Sequence, residues 1–405
     1  MQQQGYDPLA SVQAAGPPGT ISFIYGLPDP ATFPAGELAQ AAQQVLQERP
    51  ELALQYGPEQ GYGPLIDYLR HKLAHDEGLV VERPQIMLTG GSAQALDHLC
   101  TLFTRPGDIV LVEAPTYHET LKLFRDHSLD PRQVPTDNSG LIVEALAGRL
   151  QALAHRGERA RLLYTIPSFQ NPSGITLAGD RRGPLWELAE RYDLLVVEDD
   201  VYRDLAYEGQ APASFYALDQ RQPGWQGGAG RVLRIGSFSK ILAPGVRMGW
   251  LLGPTGLIER LVDSGLRNMG GGVNPWMANI LATYCRDGLL EPHIEQLRRL
   301  YAERRDAMLE ALAAHMPAGV DWTRPGGGFF VWVSLPADCP AATVVAHARE
   351  RGLLIPGGDP FFAEAPTGHF LRLAFSYVTP EKIREGIEIL GQVLRLTPKG
   401  SPVIS

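Results

Sequence analysis

The chain has 405 residues, 44% apolar and 20% charged, with 44 Gly and 33 Pro; this suits a globular protein with room for two ordinary domains and excludes disorder over most of its length. Lys and Arg total 36 against 45 Asp and Glu, a net charge of -9, so no electrostatic footprint for nucleic acid exists and a small molecule is the expected partner. Cys100, Cys285 and Cys339 lie far apart with no Cys-x-x-Cys or Cys/His cluster, which argues against zinc and disulfides and fits a reducing cytoplasm.

In chain order, the start from Met1 to Asp7 has neither the basic region nor the apolar core of an export signal. No apolar run approaches the roughly 18 residues of a membrane span. Residues 1–50, with the run Gln2-Gln3-Gln4 and Gly16-Pro-Pro-Gly19, read as a loop-rich arm and part of a small domain, packed on that domain or on a neighbouring subunit. Residues 51–290 read as a large domain. Within it, short apolar runs recur between stretches of helical period: Ile86 to Thr89, Ile109 to Val112, Leu162 to Ile166, Leu194 to Val197, Val232 to Ile235 and Gly249 to Leu252. Continuous apolar strands separated by helices predict a buried, mostly parallel sheet covered on both faces, the α/β class. Leu96, Leu99, Cys100 and Phe103 share one helical face, so a helix is expected to open near Gly91-Ser92. The stretch Gln222 to Gly230 reads as a surface loop. Residues 291–405 change texture and predict a smaller α+β domain: a charged helix from Glu291 to about His315, strands at Phe329–Leu335 and Phe370–Phe375, a helix near Ala341–Arg351 and a last helix from Pro380.

The most informative segment is Gly236-Ser-Phe-Ser-Lys240-Ile-Leu-Ala-Pro-Gly-Val-Arg247, directly after a strand. A lysine among small residues at a strand exit, with an arginine seven positions on, can set an amine and a guanidinium around one phosphorylated carbonyl ligand. That is a plan for pyridoxal phosphate: the Lys240 amine forms a Schiff base with the aldehyde, and Ser237, Ser239 and Arg247 donate to the phosphate. Other strand ends fit the same ligand. Thr89-Gly-Gly-Ser92-Ala93-Gln94 offers backbone N–H groups at a helix start, although an ordinary capped helix has the same look. Val197-Glu-Asp199-Asp200-Val-Tyr202 puts paired carboxylates past a buried strand; neighbours on a strand point oppositely, so one is inward, and Asp199 there could keep the pyridine nitrogen protonated. Asn171-Pro-Ser-Gly174 is either a plain turn or an amide for the ring O3′ with help from Tyr202. Tyr117 in Pro115-Thr-Tyr117 either stacks on the ring or packs in the core.

In this order, Ser237-x-Ser-Lys240 with Arg247, Asn171-Pro-Ser-Gly, Asp199-x-x-Tyr202, Pro115-Thr-Tyr117 and Arg372 in Leu371-Arg-Leu-Ala-Phe-Ser376 resemble the fold-type-I pyridoxal-phosphate aminotransferases of class I/II. Within them the chain is similar to the branch of 2-aminoadipate and kynurenine aminotransferases and MocR-type effector domains, from about Ile21 to Gln392. The resemblance implies a large domain with a mostly parallel seven-stranded sheet between helices, a smaller α+β domain, and a homodimer acting on an amino acid and a 2-oxo acid. Lys240 would be the Schiff-base lysine and proton shuttle, Asp199 the partner of the pyridine nitrogen, Asn171 and Tyr202 the partners of O3′, and Tyr117 the stacking ring. Ser92, Ala93, Ser237, Ser239 and Arg247 would hold the phosphate, with Tyr56 of Gln55-Tyr56-Gly57 reaching that of the neighbouring subunit. Arg372 would clamp the substrate α-carboxylate, helped by Asn171 and the Gly26 backbone; a structural ion pair is the other reading of Arg372. Ala93 stands where a polar side chain is common, so only its backbone can contribute, and Asn268 to Pro275 is richer in glycine than in many relatives.

Two rivals share part of this evidence. A lyase, decarboxylase or oxidase would use the same constellation, and a ligand-sensing regulator would need a DNA-binding module that some 20 residues ahead of the similarity cannot hold. His71 and His75 share a helical face without an acidic third ligand and read as solvated, so no metal is expected; Gly326-Gly-Gly328 reads as a turn, and the charges around Gln296 to Asp306 as a solvated helix. Residues 1–48 carry Asp7, Asp29, Glu37 and Glu48 but no Lys or Arg. An arm without a cation cannot offset the burial of a distal carboxylate. Phe23 and Tyr25 beside Gly26 suit neutral or aromatic donors, and 2-oxoglutarate would still serve as the acceptor if a basic residue, Arg267 included, enters from elsewhere.

Overall fold

The structure, a computed structural model, describes residues 19–221, 230–270 and 272–396. The Gln2–Gln4 run and most of the loop from Gln222 lie outside the described residues.

Among the described residues thirteen strands follow in order: β1 (Ile21–Ser22), β2 (Ile86–Thr89), β3 (Ile109–Ala114), β4 (Asp130–Asp137), β5 (Gly140–Leu141), β6 (Ala160–Thr165), β7 (Leu195–Asp199), β8 (Val232–Ser237), β9 (Gly249–Leu252), β10 (Asp321–Trp322), β11 (Phe330–Leu335), β12 (Leu353–Leu354) and β13 (His369–Ala374). The central sheet has the order β2-β9-β8-β7-β6-β3-β4-β5. Strands β8, β7, β6, β3 and β4 are mutually parallel, and β9 runs against both β8 and β2. Strand interiors such as β2 and β8 are buried at every position, hence on both faces. That is why these segments read as unbroken apolar runs.

The sheet has eight strands rather than the expected seven, the eighth being the two-residue β5 paired to β4. Strand β4 itself has no apolar run in Asp130-Pro-Arg-Gln-Val-Pro-Thr-Asp137. It lies next to the sheet margin, with β5 covering only its last two residues, and there charges and prolines are tolerated.

The helix Ser92–Phe103 begins where expected and buries Leu96, Leu99, Cys100 and Phe103. Strands β10, β11 and β13 form a separate antiparallel sheet, and β1 pairs in parallel with β12. The long helix Leu290–His315 departs from the solvated expectation at Arg304 and Arg305, both buried. Arg304 is held by Asp29 and the Ser376 carbonyl, Arg305 by Glu208 and the Pro325 carbonyl. His71 and His75 are exposed.

Candidate active site

Strands β2, β3, β6, β7 and β8 share one direction, so their C-terminal ends meet at one edge of the sheet, where ligands of open α/β sheets bind. That edge carries Gly90 to Ala93, Tyr117, Asn171, Asp199, Tyr202 and Ser237 to Lys240. From the other sheet, β13 contributes Arg372.

Lys240 Nζ donates to the Gly26 carbonyl at 3.2 Å and lies 5.7 Å from the ring centres of both Tyr202 and Phe329. Burial disfavours its ammonium form, Arg372 and Arg247 add repulsion, and Asp199 opposes them, which leaves the amine lowered to about 8. Gly26 has no room for a side chain, since a Cβ there would sit 2.1 Å from Phe330.

The two adjacent carboxylates part as strand alternation requires. Asp200 faces Arg234 at 3.2 Å and Arg203 at 3.3 Å and is held charged by them. Asp199 faces the site: its Oδ2 accepts the Tyr164 hydroxyl at 2.6 Å, while its buried Oδ1 has no hydrogen-bond partner among the described residues. Burial raises Asp199 to about 6.

At the start of the helix Ser92–Phe103, Gly91 takes φ +93° and no side chain caps the first N–H groups. A Cβ on Gly91 would meet the Arg247 guanidinium at 2.6 Å, so glycine is what lets that arginine lie against the helix start. Arg247 donates to the carbonyls of Gly90 at 3.0 Å and Pro244 at 3.2 Å. Ser239 N–H donates to Ser237 Oγ at 3.1 Å. The uncapped N–H groups of the helix start and the adjacent guanidinium are donors suited to an anion.

Arg372 is 5% exposed, and among the described residues no carboxylate lies within 4.0 Å of it, which removes the structural ion-pair reading. Its guanidinium donates to Asn171 Oδ1 at 3.0 Å and to the Ile24 carbonyl, stands 4.7 Å from the ring centres of Phe330 and Phe361, and keeps a buried, unpartnered Nε. Burial lowers it to about 10, so it stays charged at neutral pH. A cation stacked between rings with a donor free is built to receive an anion. Asn171 lies close enough to the Tyr202 hydroxyl to act on it. Tyr117 is close enough to feel both Arg372 and Asp199.

Two expected residues stand apart. Tyr25 is partly exposed, and Tyr56 is 80% exposed against Gly270, its hydroxyl without a hydrogen-bond partner among the described residues. Arg267 is buried and turned to the carbonyls of Glu59 at 3.1 Å and Leu88 at 2.8 Å. Sequence reasoning missed Tyr164, Phe330, Phe361 and Glu113, whose buried carboxyl accepts from Thr165 Oγ1, Ile166 N–H and Gln170 Nε2 beneath the Asn171 loop. The one available signal was chemical: a tyrosine inside a doubly buried strand must bring its hydroxyl to a partner.

Residues 27–390 match the family model described as Aminotransferase class I and II. The chain belongs to this family. Aromatic-amino-acid aminotransferase 1 of Thermococcus litoralis is 39% identical over 93% of this chain and 88% of its own length. For the 2-aminoadipate transaminase of Thermus thermophilus the figures are 36%, 93% and 91%. The crystal structure of kynurenine aminotransferase from Pyrococcus horikoshii, solved in complex with PMP, superposes with a TM-score of 0.86 at 40% identity, covering 93% of this chain and 91% of the other. As an aminotransferase the protein uses pyridoxal 5′-phosphate and exchanges an amino group between an amino acid and a 2-oxo acid. The residues fit that cofactor: an amine at the sheet edge, a buried carboxylate oxygen lacking a donor, and an uncapped helix start beside an arginine. Among the described residues, no helix of this aminotransferase is long and apolar enough to cross a membrane.

Proposed function

We propose that Lys240, Asp199 and Arg372 carry the transamination, and that neutral and aromatic amino acids are the preferred donors. Bound pyridoxal phosphate supplies an aldehyde that condenses with amines and a ring that accepts the electron pair released at the substrate Cα. The chain supplies the rest. Ser237, Ser239, Arg247 and the N–H groups of Ser92 and Ala93 hold the phosphate, Asp199 Oδ1 meets the ring nitrogen, Tyr117 stacks on the ring, and Asn171 with Tyr202 bonds O3′. Arg372 orients the donor by its α-carboxylate, with Asn171 and the Gly26 backbone alongside. Lys240, whose amine is partly neutral near pH 8, takes the Cα proton and delivers it to C4′ of the cofactor. Tyr202 and Phe329 flank that amine and limit water around it.

The observation that carries the assignment is the unpartnered Oδ1 of Asp199 at the sheet edge that also holds Lys240. For the donor side chain, support comes from Tyr25 beside Gly26, from a segment without Lys or Arg before Arg49, and from Arg267 being committed to backbone carbonyls. Measuring kcat/KM for leucine, phenylalanine, methionine, glutamate and 2-aminoadipate, against 2-oxoglutarate and pyruvate, tests it. A preference of about tenfold or more for the acidic donors, about 1.4 kcal/mol, refutes the side-chain reading and leaves the aminotransferase standing.

A homodimer with shared sites completes the proposal. Leu52, Leu54, Tyr56, Leu266 and Met269 are all exposed, Leu54 by 68% and Met269 by 87%, on the helices Pro50–Leu54 and Gly265–Asn268 and the turns that follow them. Apolar area of this kind suits a second copy, whose phosphate Tyr56 would reach. Three free, buried cysteines agree with a cytoplasmic protein.

A further inference from the structure

Asp199 has a support of its own beneath the site. On β6, Tyr164 pairs with Val197 of β7, two positions before Asp199, so the two side chains share a face of the sheet and meet diagonally. Tyr164 is fully buried, edge-on to Phe124 at 5.7 Å, and gives its one hydroxyl proton to Asp199 Oδ2 at 2.6 Å. Its oxygen in turn accepts the Thr120 hydroxyl at 3.2 Å, and Thr120 rides on the helix His118–Asp126, directly after Tyr117. Packing alone would be served as well by phenylalanine; a buried hydroxyl is there for its hydrogen bond.

We infer that Tyr164, oriented by Thr120, is a positioning residue that engages Asp199 Oδ2, favours the charged carboxylate, and so presents Oδ1 as the free oxygen to the cofactor's pyridine nitrogen. This rests on the assignment of Asp199 to that nitrogen. Electrostatics supports it: burial and Asp200 push the Asp199 carboxyl up, while the Tyr164 hydrogen bond, Lys240 and the Val201 N–H pull it down. Without the hydroxyl, burial is less opposed, and part of Asp199 carries its own proton near neutral pH.

The test uses the cofactor-loaded protein and Tyr164→Phe, alone and combined with Asp199→Asn. The readouts are the pH midpoint of the visible cofactor band, the rate of cofactor release and the melting temperature. The expected result is a variant that loads pyridoxal phosphate and melts near the wild type, with the midpoint moved by half a pH unit or more and release several-fold faster. In the Asp199→Asn background the same change should add less than twofold. Unchanged band and release in Tyr164→Phe, or equal effects in both backgrounds, overturn the inference, because a packing role does not depend on the carboxylate. If Asp199→Asn alone leaves band and release untouched, the assignment of Asp199 fails, and the inference falls with it.

Discussion

In Arg372→Leu, the guanidinium that stands between Phe330 and Phe361 becomes an apolar side chain of smaller reach. In the wild type one donor is occupied by Asn171 and one by the Ile24 carbonyl, and Nε is buried without a partner. A bound α-carboxylate would gain two charge-assisted hydrogen bonds, about 1.5–3 kcal/mol each. Losing both should lower kcat/KM roughly 10²- to 10⁴-fold. Arg372→Lys keeps the charge but not the fork, so about one bond is lost and the drop is roughly 10- to 200-fold. Stability should behave differently. The leucine leaves Asn171 Oδ1 and the Ile24 carbonyl short of a donor, about 1–3 kcal/mol each, but it also removes an unpaired buried cation whose desolvation opposes folding. The two effects offset, and the melting temperature of the apo-protein should move only a few degrees. Single-turnover kinetics with phenylalanine and with phenethylamine, which lacks the carboxylate, separates binding from reactivity: Arg372→Leu should erase the discrimination between them. A variant within threefold of wild-type kcat/KM, or one that loses its fold, would refute the reasoning.

Five further outcomes follow from the geometry. With the Lys240 amine lowered to about 8, its neutral fraction grows as pH passes that value, so mass-spectrometric labelling of the apo-protein by an amine-reactive reagent should show a midpoint near 8 at Lys240. Asp200→Ala should destabilise the fold by about 1–3 kcal/mol, since it takes a buried carboxylate from Arg234 and Arg203 while Glu77 still pairs with both; Asp199→Asn should instead stabilise the apo-protein above pH 6. The sign follows from the raised carboxyl: between the ordinary 3.8 and about 6 the folded state keeps a proton the unfolded chain releases, so this group's contribution falls as pH rises through that window, and denaturant titrations at pH 4, 6 and 7.5 check both variants. Tyr56→Phe should weaken cofactor retention by on the order of 1–3 kcal/mol, whereas Leu54→Asp should yield monomers in sedimentation experiments; full activity in such monomers would contradict a shared site.

How much of this could be read beforehand depended on where each residue sits. Strands buried on both faces announce themselves as apolar runs, so β2, β3, β6, β7, β8 and β9 were legible while the proline-bearing β4 was not. Alternation along β7 sufficed to set Asp199 and Asp200 on opposite faces. It could not say that Arg234 and Arg203 would take the second, because those arginines arrive from another strand and from the turn after Tyr202. The aromatic walls of Arg372 come from β11 and from a short turn at Asp359–Phe361, contacts fixed only by tertiary packing. Arg304 and Arg305 looked like solvated charges because helical period alone does not show which acids and carbonyls the folded chain brings over them.

Four carbonyls tie down the stretch from Phe23 to Leu27: Phe23 accepts from Ala374 N–H, Ile24 from Arg372, Gly26 from Lys240 and Leu27 from Ser376, while Phe23 N–H donates to the Leu354 carbonyl. Gly26 must stay bare for Phe330 and Phe23 must fill its buried slot, but Tyr25 projects outward with no such duty. A mutation there leaves untouched the frame that aligns amine and guanidinium. On the proposed placement of Tyr25 beside the donor side chain, a change there would shift preference among amino acids while the catalytic frame stayed whole; relatives of this chain bear names as different as kynurenine, 2-aminoadipate and aromatic-amino-acid aminotransferase.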